Sequence, residues 1–218
     1  ILGIIGLTGA GKTELARTIF GVERLECGKI IVAGKEITIH QPREAIEQGI
    51  VYVTENRKAD GLFVDMTIRD NICAPILDEV ADVIGFLDRG KMGGRVKEAI
   101  DQFDIATTGG MQIVNTLSGG NQQKVLLGIW LQLRPRVLIV DEPTVGIDVS
   151  TKTEMFKLLR SIADSGTAVM LISSETKEVI NHADRIITIY NGKKTGDFLP
   201  NQLDENVLLE YISGGRKV

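Results

Sequence analysis

Runs of consecutive apolar residues recur along the chain, at LGIIG, GIVYV, RVLIV, TAVMLIS and RIITIY, with segments of helical period between them. Several are continuous rather than alternating, as expected of strands in a sheet covered on both faces. The clearest intervening helix is predicted from Thr153 to Ala163, where Met155, Leu158, Leu159 and Ile162 form one apolar stripe and Gly166 offers a stop. Strands and helices in alternation predict an α/β fold with a mostly parallel central sheet. An Asn-Gly pair between the strand-like halves of RIITIYNGKKTGDF predicts a hairpin, and a second small antiparallel piece is expected at GKIIVAGKEITI. The middle differs. From Met66 to about Thr116 there are helix-like stretches and polar connections but no clear strand. A helical subdomain inserted in the core, over about residues 66–125, is the economical expectation.

Composition narrows the class. Of 218 residues, 43% are hydrophobic and 25% charged, ordinary values for a folded domain and unlike those of a disordered chain. That length suits one large domain, or a domain with a small insertion. A net charge of -4 argues against a nucleic-acid surface, which needs a basic stripe. Cys27 and Cys73, with no CxxC pair, suggest neither a disulfide framework nor a zinc site, so buried or idle thiols in a reducing compartment are expected. No run reaches the ~20 apolar residues that span a bilayer. Because Ile1 already lies inside a strand-like run, the chain is expected to be a fragment lacking its N-terminal strands. Any membrane docking is expected to go through a protein partner.

Candidate chemistry starts at GLTGAGKT, Gly6 to Thr13, which fits G-x-x-x-x-G-K-[ST] in full. By average residue usage such a match arises by chance in roughly one chain of this length per hundred. Here an apolar run precedes it and the helix-forming TELARTIF follows, the context of a P-loop NTPase. Gly6, Gly9 and Gly11 let backbone N–H groups turn around phosphate oxygens, and the following helix presents its positive end. Lys12 can bridge β- and γ-phosphates, while the Thr13 hydroxyl can ligate Mg²⁺. Thr8, Ala10 and Glu14 complete the expected nucleotide-binding set. A second carboxylate for the metal is expected at the end of the strand in RVLIVDEP: Asp141 to hold Mg²⁺, with Glu142 as general base for a water.

LSGGNQQK, Leu117 to Lys124, places two glycines at a helix start that carries no acidic residue. Ser118 can donate a hydroxyl, and Gly119 and Gly120 leave N–H groups open to an anion. With the phosphate loop, the acidic strand and VGID carrying Asp148, this order resembles the ATP-binding cassette (ABC) ATPases over nearly the whole chain. The resemblance implies ATP and Mg²⁺ as cofactors. It also implies a head-to-tail pair of cassettes in which Ser118, Gly119, Gly120 and Asn121 close over the partner's γ-phosphate.

LSGGNQQKV, VYVTENRKADGLF and LISSETKEV together resemble the second cassette of bacterial sugar importers of the ribose and galactose type. That resemblance implies a first cassette in the same polypeptide, transmembrane permease subunits, an indirect link to a solute-binding protein, and a place on the cytoplasmic face of the membrane. Two positions depart from the general family pattern. Glu55 stands where a metal-touching glutamine is usual, and Ser174 where a switch histidine is usual. Serine lacks the charge and reach of imidazole, so slow hydrolysis at the chain's own site is expected. A nucleotide-dependent scaffold without turnover, or a non-transport ABC ATPase, are the alternatives. His40 and His182 are expected at the surface or in loops and Trp130 in the core. ENRKAD is either a solvated loop or part of a membrane-subunit contact.

Overall fold

A computed structural model of the chain describes residues 1–200 and 204–215. In chain order its elements are β1 (Leu2–Ile5), α1 (Lys12–Phe20), β2 (Ile30–Val32), β3 (Lys35–Ile37), α2 (Pro42–Glu47), β4 (Ile50–Val53), α3 (Ile68–Cys73), α4 (Leu77–Val80) and α5 (Arg89–Gln102). There follow α6 (Gly119–Leu131), β5 (Val137–Asp141), α7 (Val149–Asp164), β6 (Ala168–Ser173), α8 (Thr176–His182), β7 (Arg185–Tyr190), β8 (Lys193–Phe198) and α9 (Glu205–Ile212). Two compact units result. One comprises Ile1–Tyr52, Pro135–Pro143 and the described residues from Leu159 onward; the other comprises Val53–Arg134 and Thr144–Leu158.

The first unit is built on a six-stranded sheet of order β4-β5-β6-β1-β7-β8. β1 pairs in parallel with β6 and β7, β5 in parallel with β6, and β7 pairs antiparallel with β8. Leu138, Ile139 and Val140 of β5 are completely buried, which is why that strand reads as a continuous apolar run. Ile5 of β1, Val179 of α8, Ile186 of β7 and Leu208 and Ile212 of α9 share one core cluster. Full burial of such aliphatic side chains contributes roughly 1.5–3 kcal/mol each. The register sets Ile5 beside Ser173 and Asp141 beside Ile172, so β1, β5 and β6 end at nearly one level. Both predicted hairpins form. Asn191 and Gly192 are left-handed, with φ of 48° and 72°, as a two-residue turn joining twisted strands requires. β2 and β3 make a separate two-stranded sheet.

The second unit is mostly helical, with isolated bridges at Thr67–Ile113 and Ala81–Leu87. Three of its helices, α3, α5 and α6, start on side-chain caps. Thr67 accepts from the Asp70 N–H, Asp88 from those of Gly90 and Lys91, and Ser118 from that of Asn121. α6 is buried along almost its whole length, the polar residues Gln122, Gln123 and Lys124 included. Lys124 Nζ donates to the Asp104 carbonyl and to Glu154 Oε2, each at 2.9 Å. α7 begins four residues before the expected Thr153. Its first turn is organised by Asp148, whose carboxylate accepts from the Ser150 hydroxyl and from the N–H and hydroxyl of Thr151. Among the described residues no helix is long and apolar enough to cross a membrane.

Candidate functional site

In the first unit the loop between β1 and α1 wraps a positive helix end. Gly9 and Gly11 adopt φ of 76° and 101°, open to glycine and strained for other residues. A Cβ on Gly6 would stand 2.4 Å from the Ile189 carbonyl oxygen, so no larger residue fits there. α1 starts after Gly11 with no side-chain cap, which leaves its first N–H groups directed at the loop. Buried Lys12 donates from Nζ to the Gly6 and Leu7 carbonyls at 2.8 and 3.1 Å. The same ammonium lies 3.9 Å from Glu142 Oε1. Thr8 and Glu14 are exposed at the rim, Ala10 is buried beneath it, and Thr13 is partly exposed.

Asp141 ends β5 wholly buried. Its Oδ2 accepts a 2.9 Å hydrogen bond from the Tyr52 hydroxyl, whereas Oδ1 has no hydrogen-bond partner. Burial pushes its pKa up; the Tyr52 and Thr13 hydroxyls and the Lys12 charge act the other way. Glu142, next along, takes φ of 46°, the left-handed region that a non-glycine residue seldom occupies. Its N–H is held by the Ile172 carbonyl at 2.9 Å. Burial raises its pKa as well, opposed first by the hydroxyl and N–H of Ser174 and then by Lys12. Lys12, Asp141, Glu142 and Ser174 thus gather at the ends of adjacent parallel strands. A buried carboxylate oxygen without a donor suits a cation, and a raised carboxylate suits proton transfer.

The second unit holds the other predicted residues. Ser118 Oγ accepts from the Asn121 side-chain amide at 2.9 Å and, less closely, from its N–H at 3.4 Å. Asn121 Oδ1 accepts from the Ala106 N–H at 2.8 Å. Gly119 and Gly120 are pinned by close neighbours: a Cβ on Gly120 would fall 2.2 Å from Thr151 Cγ2. Thr151 is the residue that Asp148 holds, so the LSGG signature (Leu117–Gly120) and the loop before α7 interlock. Glu55 is exposed just beyond β4. His40 is exposed; His182 and Trp130 are half-buried.

Two residues that the sequence did not single out belong to these clusters. Tyr52 was visible only as a hydroxyl-bearing ring inside an apolar strand, a residue that needs a partner when buried. Arg57, within ENRKAD, donates to the Val145 carbonyl at 2.9 Å.

These features match a family pattern. Residues 1–145 fit the family model described as ABC transporter, and the chain belongs to that family. Among curated relatives, it is 42% identical over 214 residues to a putative ribose/galactose/methyl galactoside import ATP-binding protein of Agrobacterium fabrum, covering 98% of this chain and 42% of that protein. It is 46% identical over 212 residues to a ribose import ATP-binding protein of Burkholderia pseudomallei, covering 97% of this chain and 41% of that protein. The chain therefore spans less than half the length of these relatives. A nucleotide-free ATP-binding cassette from an ABC transporter superposes with a TM-score of 0.79 at 21% identity, covering 96% of this chain and 84% of that one. A dimeric cassette bound to ADP and Pi gives 0.77 at 20%, covering 92% and 85%. These likenesses agree with the chain's own α/β fold, that of a P-loop ATPase with a mostly parallel sheet.

Proposed function

We propose that the chain is one cassette, the second of two in a longer polypeptide, of an ATPase that energises import of a sugar or sugar-like solute. The observation that carries this is the meeting of Lys12, Asp141 and Glu142 at the ends of adjacent parallel strands. The names and identities of the curated relatives supply the cargo class. A nucleotide's phosphates fit the Gly6–Thr13 loop, with Lys12 as their cation and Thr8, Ala10 and Glu14 around them. Mg²⁺ fits Thr13 and the unsatisfied oxygen of Asp141 in the first unit; when bound it would neutralise phosphate charge. Glu142 is the base that takes a proton from water, and Ser174 orients it.

Ser118, Gly119, Gly120, Asn121 and Asp148 serve the nucleotide of a facing cassette rather than the chain's own. With serine at 174 and glutamate at 55, the chain's own site hydrolyses slowly. The chain as a whole forms one cassette, with a helical subdomain over about 66–125. It sits at the cytoplasmic face of the membrane against permease subunits, and a solute-binding protein acts through them. An open cavity of about 440 Å³ offers such a subunit an apolar floor of Val96, Ile100 and Met111 within a charged rim of Arg69, Arg89, Lys97 and Asp101.

The test is turnover of the full-length protein with its membrane subunits. Ser118→Arg, which sets a bulky cation where a partner's γ-phosphate must approach, should abolish most ATPase activity and transport. Glu142→Gln should cost much less. If Glu142→Gln proves the more damaging change, the division of labour is wrong. If membrane subunits fail to stimulate turnover at any ratio, the transport assignment is wrong.

A further inference from the structure

Arg57 follows β4 in a stretch of charged residues, yet it is half-buried. Its Nη1 donates to the Val145 carbonyl at 2.9 Å, and its Nε lies 3.5 Å from Gln122 Oε1. Gln122 in turn donates from Nε2 to the carbonyls of Val114 and Leu117, the segment that delivers Ser118. The remaining arm, Nη2, lies 2.8 Å from where a Cβ on Gly119 would stand, and the Gly146 carbonyl oxygen is equally close to that point. One guanidinium therefore bears on the loop before Asp148, on the first glycine of α6, and on the side chain that holds the preceding segment. The planar fork of arginine supports such divided contact; a lysine ammonium on a flexible stem does not.

The charge is also unusual in its surroundings. Among the described residues no carboxylate pairs with Arg57, whose acceptors are neutral carbonyl oxygens. Partial burial draws its pKa down, though a guanidinium stays charged at any ordinary pH. Lys58 beside it is exposed, as a solvated loop residue would be. Desolvating a cation without a counter-ion is unfavourable, so the contacts made by Arg57 must compensate elsewhere.

We infer that Arg57 is a positioning residue for the site that the signature completes. It fixes the separation between Gly119 and the loop from Val145 to Asp148, so that Ser118 and Asp148 meet a facing cassette in one set relation. This rests on the proposal above that the signature serves a partner's nucleotide. It also accounts for glycine at 119 on grounds of space, since any side chain there would push the guanidinium off the Val145 carbonyl.

The experiment compares Arg57→Ala, Arg57→Lys and Lys58→Ala in the full-length protein with its membrane subunits. Hydrogen exchange at residues 119–121 and 145–148 should quicken about tenfold in Arg57→Ala, while the interior of α6 keeps its protection and shows that the fold persists. The kcat for ATP should fall about tenfold or more with KM within twofold. Arg57→Lys should recover part of both losses, and Lys58→Ala should behave as the parent. Unchanged exchange would show that the tie does not exist. Quickened exchange with parental kcat, or a rise in KM alone, would show that the tie does not position the site. Ser118→Arg in the same assay separates the two claims. If it turns over normally, the signature assignment falls; if it collapses while Arg57→Ala is normal, only the role of Arg57 falls.

Discussion

The Tyr52 hydroxyl donates to Asp141 Oδ2 at 2.9 Å inside the first unit, so the carboxylate expected to meet a metal is aimed by a residue on another strand. Tyr52 sits on β4 and Asp141 on β5, neighbours in the sheet although 89 residues apart in the chain. One oxygen is thereby held by protein, and the other is left for something else.

Tyr52→Phe should destabilise the fold by about 1.5–3 kcal/mol, the usual worth of a hydrogen bond to a charged group. Urea unfolding at neutral pH measures it. The loss should shrink as pH falls, because removing the donor raises the Asp141 pKa further and a protonated carboxyl needs the hydroxyl less. An equal loss at every pH would mean that the hydroxyl merely fills space.

Lys12→Ala should weaken nucleotide binding by roughly 1.5–3 kcal/mol, about tenfold to a hundredfold. Titration with a fluorescent ATP analogue reads this directly. An affinity within twofold of the parent would remove the phosphate loop from the site.

Glu142→Gln should stabilise the chain at neutral pH. Burial raises the folded-state pKa of Glu142 above its unfolded value. The stability linked to this group is therefore complete below the ordinary glutamate pKa and is lost as pH rises through the folded value. Glutamine mimics the protonated form throughout. The gap between variant and parent should thus be present at pH 7 and close as pH drops below the ordinary value. Thermal unfolding across that window measures it, and a gap that widens toward acid would reverse the sign.

Gly120→Ala should cost about 1–3 kcal/mol through overpacking, because its methyl would lie 2.2 Å from Thr151 Cγ2. Adding Thr151→Ser removes that methyl and keeps the hydroxyl that Asp148 accepts from. The double variant should recover most of the loss in melting temperature. Simple additivity of the two changes would show that the contact is not the cause.

The strands of the sheet were legible because a strand covered on both faces carries an uninterrupted apolar run, as Leu138 to Val140 do. The start of α7 was not. Ser150, Thr151 and Lys152 add nothing to the apolar stripe, and the helix begins there because Asp148 organises its first turn. NQQK reads as a solvated run, yet Gln122, Gln123 and Lys124 are buried. Their burial depends on partners such as the Asp104 carbonyl and Glu154, which no local pattern announces. The grouping of Lys12, Asp141 and Glu142 could be anticipated because glycine spacing and a strand end are local signals. Tyr52 and Arg57 escaped because each acts on a residue nearly ninety positions away.

The left-handed backbone at Glu142 also narrows what mutation can offer at this place. A branched β-carbon sits badly at such a φ, so Val, Ile and Thr carry a penalty there before any chemistry is considered. Asn and Asp tolerate it better, and glycine relieves it altogether. Substitution there by an amide, a shortened acid or glycine preserves the turn while removing or retracting the carboxylate. A chain altered in this way therefore keeps the backbone of the site and loses only the group proposed as its base.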